Sequence, residues 1–300
     1  MRNSKNVMSM LVFYAAVYCV ATAAVTFMLL YFADMFHIEE GQNYFANYRD
    51  AWGAGLATLF DSDNSLASSF INTTVFCLYS YAMIFIITML VPMLVVVIRA
   101  HFVNHPVMVW LTRIVGVTVF IASFLPFVVT ATLVEFLTDF YALKVIVVVF
   151  GVGITHSIIR QMEIKFGYDI DNEGYVEYLE YEGYSTLAIA YLIMRNNVSF
   201  LINILAKNLT LLISTIIFIE MILKGNSGFG PAILRNLEVL FNKPNEFFFA
   251  LGNLFVICVG IMVISFILQT GSFLFCYAFD NKFRGITDSN VKRFFPWARH

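Results

Sequence analysis

Two ionisable side chains, Lys207 and Glu220, lie within stretches that are otherwise apolar. Because a charge in the hydrocarbon of a membrane is costly, such residues mark solute or ion paths by default. Gly228 and Gly230 follow Glu220 and permit tight backbone turns. We therefore predict a possible pore or gate at Lys207, Glu220, Gly228 and Gly230. Both charges lie within a few turns of a predicted membrane face, so extension of the charged end to that face is the competing interpretation.

The motifs that would indicate an enzyme are missing from the sequence. It contains no GxxxxGK[ST] phosphate-binding loop, no HExxH zinc motif and no GxSxG nucleophile elbow. The cysteines have none of the close pair spacings of metal or redox sites. We predict no catalytic residue, no metal site and no cofactor bound by this chain.

Residues 167–183 form a polar, strongly acidic segment, GYDIDNEGYVEYLEYEG, in a mostly apolar chain. Helical spacing places aromatic and apolar side chains on one face, at Tyr175, Tyr178 and Leu179. A neighbouring acidic face holds Glu173, Glu177 and Glu180. Gly183 permits the left-handed turn that ends a helix. We predict a short helix that docks onto a cytoplasmic partner; the competing interpretation is a solvated loop.

The elements that carry these residues are predicted to cross a membrane. Of the 300 residues, 60% are hydrophobic and 13% are charged, against about a quarter charged in soluble domains. A window of about 20 residues, which crosses a hydrocarbon core of about 30 Å, predicts six spans. They cover roughly residues 9–33, 74–98, 110–134, 141–159, 199–223 and 247–279. Because these runs lack the two-residue alternation of barrel strands, we predict an all-α polytopic transmembrane bundle.

The chain is predicted to form one membrane domain over residues 1–300. A first external loop covers about residues 34–73, and a cytoplasmic coupling region covers about residues 160–198. Another external loop, near 224–246, is predicted to contain an amphipathic turn or two with Ile233, Leu234 and Leu237. This segment could line the outer mouth of a path through the bundle. The distribution of Lys and Arg favours cytoplasmic N- and C-termini. The net charge of −2 and the absence of a basic stripe argue against a nucleic-acid partner.

Residues of the acidic segment also match a spaced pattern. Glu177, Gly183 and Ile193 hold the first, glycine and isoleucine places of the pattern Glu-Ala-Ala, three residues, Gly, nine residues, Ile. Tyr175, eight residues before the glycine, and Asn197, fourteen after it, extend the match. This pattern resembles the signature of the membrane permeases in the dipeptide, oligopeptide and nickel branch of ATP-binding-cassette (ABC) importers. In this chain Tyr178 and Leu179 replace the alanines, and acidic residues replace basic ones.

Further fragments resemble the same family in the same order. They are Gly55 and Leu56 with Asn72 and Thr73, Ser123 with Pro126 and Phe127, Glu220 with Gly228 and Gly230, and Asp280 with Lys282 and Arg284. The resemblance covers most of the chain. It implies a type I ABC importer permease-like fold.

The resemblance also implies a function and partners. The chain would be a permease subunit of an ATP-driven peptide importer in a bacterial-type plasma membrane, without an ATPase site of its own. Its partners would be a homologous second permease, two cytoplasmic subunits that bind ATP and Mg, and an extracytoplasmic binding protein. The implied ATPase-coupling residues are Tyr175, Glu177, Tyr178, Leu179, Glu180, Gly183, Tyr184, Ile193 and Asn197. The acidic replacements predict a more basic groove on the ATPase partner.

Three alternatives stay open at this point. The importer could carry nickel chelates or other small solutes instead of peptides. A channel or carrier that does not use ATP could have a similar polar loop. A membrane-anchored scaffold without transport activity is the third alternative.

Overall fold

The computed structural model describes residues 2–37, 44–59, 66–101, 154–172, 175–222 and 228–294, together with residues 110, 113, 114 and 117. Within these residues nearly the whole backbone is helical and no strand occurs. The helices are α1 (Arg2–His37), α2 (Tyr44–Leu59), α3 (Leu66–His101), α4 (Ile154–Asn172), α5 (Tyr175–Tyr181), α6 (Thr186–Lys207), α7 (Leu209–Ile222), α8 (Phe229–Asn242), α9 (Phe247–Phe279) and α10 (Asn281–Phe294). A 3-10 turn, Pro244–Glu246, joins α8 to α9. The prediction of an all-α protein is confirmed for the described part of the chain.

Four helices of the described residues are long and apolar enough to cross a membrane. The candidate spans are Asn6–Phe32, Leu66–Leu94, Ala188–Lys207 and Phe247–Phe279. Each reaches the length of about 20 residues that a hydrocarbon core requires. Most of the predicted spans 110–134 and 141–159 lies outside the described residues. So do Ser123, Pro126 and Phe127.

The predicted fifth span differs from the structure. The sequence predicts one span over 199–223, but α6 ends and α7 begins on either side of Asn208. The Asn208 backbone N–H donates to the carbonyls of Ile204 and Leu205 at 3.2 and 3.1 Å, and its side chain donates to Ile204 at 2.9 Å. These bonds satisfy carbonyls that a helix end leaves open. A hydropathy window averages over one asparagine and so does not detect the break.

Two predicted segment boundaries also differ from the structure. The external loop predicted over 34–73 overlaps the end of α1, at His37, and the start of α3, at Leu66. The coupling region predicted over 160–198 overlaps α6, whose candidate span begins at Ala188. A helix continues through polar residues because its hydrogen bonds join backbone groups, whereas a hydropathy window ends where polar side chains begin.

The chain forms two compact units. The first consists of Met1–Cys77 and Ile213–His300, and the second of Leu78–Leu212. The prediction of one membrane domain over residues 1–300 stays a prediction.

Helix α9 is the centre of the first unit, where α1, α2, α8 and α10 all contact it. Helix α1 runs antiparallel to α9. The ring of Tyr14 meets that of Phe273, and the ring of Tyr18 meets that of Phe266, with 5.7 Å between centroids in each pair. Edge-to-face pairs of this kind add about 0.5–1.5 kcal/mol beyond the area they bury.

Two glycines bring α2 and α9 into backbone contact. A Cβ on Gly55 would overlap the carbonyl oxygen of Gly252, and a Cβ on Gly252 would overlap that of Ala51. Small residues at a helix crossing permit such close packing in membranes. Beside the crossing, the rings of Trp52 and Phe255 lie 5.4 Å apart. Helix α2 is therefore fixed along α9.

A buried chain of hydrogen bonds joins α2, α9 and α8. The Thr58 hydroxyl donates to Asn253 Oδ1 at 2.6 Å, Asn253 Nδ2 donates to Asn236 Oδ1 at 2.9 Å, and Asn236 Nδ2 donates to the Ala232 carbonyl at 2.8 Å. Thr58, Asn236 and Asn253 are all buried. Pairing removes the cost of burying these polar groups.

The buried face of α8 follows from this chain of bonds. Ile233, Leu234 and Leu237 lie in α8, where an amphipathic turn or two was predicted. The buried residues of α8 include Ala232, Asn236 and Leu240, whereas Leu234 is 47% exposed. An asparagine joins the buried face because Asn253 supplies its partner, which local spacing cannot predict.

Within the first unit, hydrogen bonds also join α1, near the start of the chain, to α10, near its end. Asp288 Oδ1 accepts hydrogen bonds from Asn6 at 2.8 Å and from the Tyr277 hydroxyl at 3.0 Å. Asp280, one of the residues in the family resemblance, accepts the Phe283 N–H at 3.0 Å. Its carboxylate therefore caps the first turn of α10.

Candidate functional site

Helix α5 is a seven-residue helix that contacts both α4 and α6. Gly183 follows it with φ of 81°. The Gly183 N–H donates to the Glu180 carbonyl and the Tyr184 N–H donates to the Leu179 carbonyl, both at 3.0 Å. This pair of bonds is the Schellman motif, which requires a left-handed residue after the helix. The predicted short helix and its left-handed ending at Gly183 are confirmed.

The side chains of α5 and its terminal turn are largely exposed. Tyr178, Tyr181 and Tyr184 recur every three residues and are 61%, 90% and 52% exposed. The acidic residues around them are also exposed, namely Glu177, Glu180 and Glu182. Leu179 is half-buried, and the side chain of Tyr175 lies outside the described part of the structure. We name this exposed set of tyrosines and glutamates, residues 177–184, the acidic tyrosine surface.

Two other predicted coupling residues, Ile193 and Asn197, are buried in α6. Asn197 Nδ2 donates to Asp169 Oδ2 at 2.6 Å and to the Ile193 carbonyl at 2.9 Å. Asp169, on α4, is also buried and forms an ion pair with Lys165 one turn earlier. Ile193 and Asn197 therefore do not belong to the acidic tyrosine surface. Asn197 holds α6 against α4.

Glu220, near the end of α7, lies in a second cluster. Its two carboxylate oxygens share the hydroxyl proton of Thr73, on α3, at 2.9 Å each, and one also accepts the Gly230 N–H at 3.1 Å. The Thr73 oxygen accepts the Phe229 N–H at 2.9 Å. Phe229 and Gly230 begin α8. Glu220 and Thr73 therefore cap the N-terminus of α8 from two other helices, where a negative charge is favourable.

Gly228 and Gly230 border this carboxylate. Gly228 has φ of 139°, and a Cβ there would lie 2.7–2.9 Å from the carboxylate atoms of Glu220. A Cβ on Gly230 would lie 2.5 Å from the backbone nitrogen of Met221 and 2.6 Å from the carbonyl oxygen of Ile217. The structure thus brings together three of the four residues predicted at a pore or gate.

The fourth residue, Lys207, lies in the last turn of α6 and is exposed. A cation is favourable there because the helix ends in carbonyl groups without intrahelical partners. That Lys207, Glu220, Gly228 and Gly230 line a pore or gate stays a prediction.

Thr73 and Asp169 were not among the predicted site residues. Thr73 belongs to a fragment that resembles the permease family, and Asp169 follows Lys165 at the four-residue spacing of helical ion pairs. Those signals identify neither partner, because Glu220 lies 147 positions from Thr73 and Asn197 lies 28 positions from Asp169.

Within the described ranges, no group of three or more His, Cys, Asp or Glu side chains is placed to hold a metal ion. No protein-family model matches the chain, and neither a curated protein nor a solved structure matches it.

Proposed function

We propose that the protein is the permease subunit of an ATP-driven importer and forms half of a translocation path for peptides. The observation that carries this proposal is the acidic tyrosine surface. A short helix that contacts α4 and α6, together with the turn that follows it, exposes three tyrosines beside three glutamates. Tyrosines of this kind are frequent anchors of protein interfaces. The surface is suited to dock onto separate ATP-binding subunits.

The charge of the surface specifies the character of its partner. Glu177, Glu180 and Glu182 are exposed beside the tyrosines, so a groove that receives them is expected to be basic. Complementary charge selects the correct partner and fixes its register. Glu180 and Glu182 stand where the resembling family carries basic residues, which argues for a matched exchange on the ATPase side.

The connection from α5 to the membrane is short. Ser185 caps α6 by accepting the Ala188 N–H, and α6 contains the candidate span Ala188–Lys207. Because α5 contacts α6 and is joined to it by residues 182–185 alone, a displacement of α5 would be passed to a spanning helix. ATP would drive this movement by binding one state of the importer more tightly than the other.

The contacts among Glu220, Thr73, Gly228 and Gly230 support the same family resemblance independently. Thr73 belongs to one resembling fragment, and Glu220, Gly228 and Gly230 belong to another. The two fragments are joined by hydrogen bonds at 2.9 Å. Such contact favours a shared structural role over chance similarity of short motifs.

In the proposed importer this chain has six spans in a bacterial-type plasma membrane, with both termini cytoplasmic. It pairs with a homologous permease, two subunits that bind ATP and Mg, and an extracytoplasmic binding protein. Peptides are the first proposed substrate class, and nickel chelates or other small solutes are the second.

Coupled ATP hydrolysis tests the proposal in the importer reconstituted in proteoliposomes. Glu177→Arg and Gly183→Pro are expected to lower substrate-stimulated hydrolysis by about tenfold or more, because like charges across an interface cost several kcal/mol and proline disrupts the Schellman turn. Glu238→Arg, at an exposed glutamate of α8, is the matched control and should leave stimulation unchanged. Unchanged stimulation of ATP hydrolysis in Glu177→Arg and Gly183→Pro would refute the assignment of the acidic tyrosine surface as a docking site. Uptake that needs no ATP would instead indicate a channel or carrier.

A further inference from the structure

Helix α5 is too short to fix its own orientation. It has seven residues, whereas isolated helices are marginal in water below about 12–15 residues. Much of its surface, including Tyr178 and Tyr181, is exposed rather than packed. It contacts α4 and α6. The arrangement of these two helices therefore determines how α5 is presented.

One buried contact joins Asp169 to Asn197 and so holds together the two ends of the chain segment that contains α5. Asn197 Nδ2 uses its two hydrogens on Asp169 Oδ2 and on the Ile193 carbonyl. The other oxygen of Asp169 is paired with Lys165. The NH2 group of Asn197 and the carboxylate of Asp169 are thus both paired while buried. Loss of either partner would leave a buried polar group unpaired, which favours this one geometry over alternatives.

We propose that Asp169 is a positioning residue, which holds α5 in its docking orientation through Asn197. Lys165 neutralises the carboxylate, and Asn197 fixes its position relative to α6. Without this contact α4 and α6 are no longer held together at the two ends of the segment that contains α5, and α5 frays. The consequence for ATP coupling rests on the proposed function, whereas the fraying of α5 does not.

Hydrogen–deuterium exchange of the full chain in lipid nanodiscs tests this role on peptides covering residues 175–185. Asn197→Asp sets a second carboxylate against Asp169, and we expect α5 amides to exchange about tenfold faster. The matched control is Asn245→Asp, the same change at an exposed asparagine outside the candidate spans, which should stay within about twofold of wild type. Equal exchange in the two variants would overturn the proposal.

A second variant decides the outcome if Asn197→Asp disturbs the whole protein, seen as faster exchange throughout α9. Asn197→Ala removes the contact with Asp169 without adding a charge and leaves Asp169 paired with Lys165, so we expect a rise of about threefold confined to α5 and its adjoining turns. No rise would overturn the proposal. Faster exchange with normal ATP stimulation in the assembled importer would support the positioning of α5 and refute its role in coupling.

Discussion

The hydroxyl of Thr73 lies 2.9 Å from both carboxylate oxygens of Glu220, although 147 positions separate the two residues. Together they receive the first N–H groups of α8, from Phe229 and Gly230. A charged residue that is costly in an apolar stretch is thus used to hold a helix N-terminus. Glu220 therefore has a structural task, and a movement of α8 relative to α3 and α7 would interrupt it.

Removing the charge of Glu220 is expected to destabilise the protein. Glu220→Gln loses the charge at the start of α8, at a cost of about 1–2 kcal/mol. Glu220→Ala also leaves Thr73 and the Gly230 N–H without their partner, and we expect a total of about 3 kcal/mol. The measurement is the thermal midpoint of helix content in detergent. Glu238→Gln, at an exposed glutamate of α8, is the control and should leave the midpoint unchanged.

Alanine at Gly228 is expected to displace the Glu220 carboxylate. The backbone φ of 139° is unfavourable for a residue with a Cβ, and that Cβ would lie 2.7 Å from the carboxylate carbon. We expect a loss of at least about 2 kcal/mol in the free energy of unfolding. Gly285→Ala, on α10 with open space around it, should instead stabilise by up to about 1 kcal/mol. A thermal midpoint for Gly228→Ala at or above that of wild type would argue against this geometry.

Alanine at Gly55 is expected to separate α2 from α9. Its Cβ would overlap the Gly252 backbone, whereas a Cβ on Gly53, in the same helix, meets nothing within 4 Å. The probe is the fluorescence of Trp52, which packs against Phe255, in a background with Trp110→Phe and Trp297→Phe. Gly55→Ala should shift its emission to longer wavelength and Gly53→Ala should not. The same spectrum in both variants would be incompatible with close packing at this crossing.

Alanine at Gly183 is expected to loosen the end of α5. An L-residue at φ of 81° costs about 1 kcal/mol, so amide exchange over residues 178–185 should rise about fivefold. Gly167→Ala, in α4 with nothing within 4 Å of the added Cβ, provides the control and should not accelerate exchange there. Slower exchange in Gly183→Ala than in wild type would contradict the left-handed turn.

Local features of the fold follow from the sequence, and contacts between distant segments do not. The turn at Gly183 was predictable because a left-handed glycine after a helical pattern depends on neighbouring residues alone. The span 247–279 was predictable because its apolar run is uninterrupted, and α9 covers the same residues. The break at Asn208 was hidden by averaging over its apolar neighbours.

The candidate site was predictable in its residue types but only partly in its pairings. Glu220 attracts notice as a charge in an apolar stretch, yet its hydrogen bond to Thr73 depends on how two helices pack. Asn197 was assigned to the docking region, but it is buried against Asp169. A single sequence records neither of these long-range contacts, because no local periodicity encodes the partner of a buried polar group.

Photo-crosslinking from position 181 tests the central claim most directly, because Tyr181 is 90% exposed on the acidic tyrosine surface. A photoreactive phenylalanine analogue would replace Tyr181 in native membranes, and Phe45, 78% exposed on α2, would be the control position. We predict that mass spectrometry identifies an adduct at position 181, absent at position 45, with a subunit containing a GxxxxGK[ST] nucleotide-binding loop. Adducts at position 181 that contain no such subunit would contradict the proposed coupling to ATP hydrolysis.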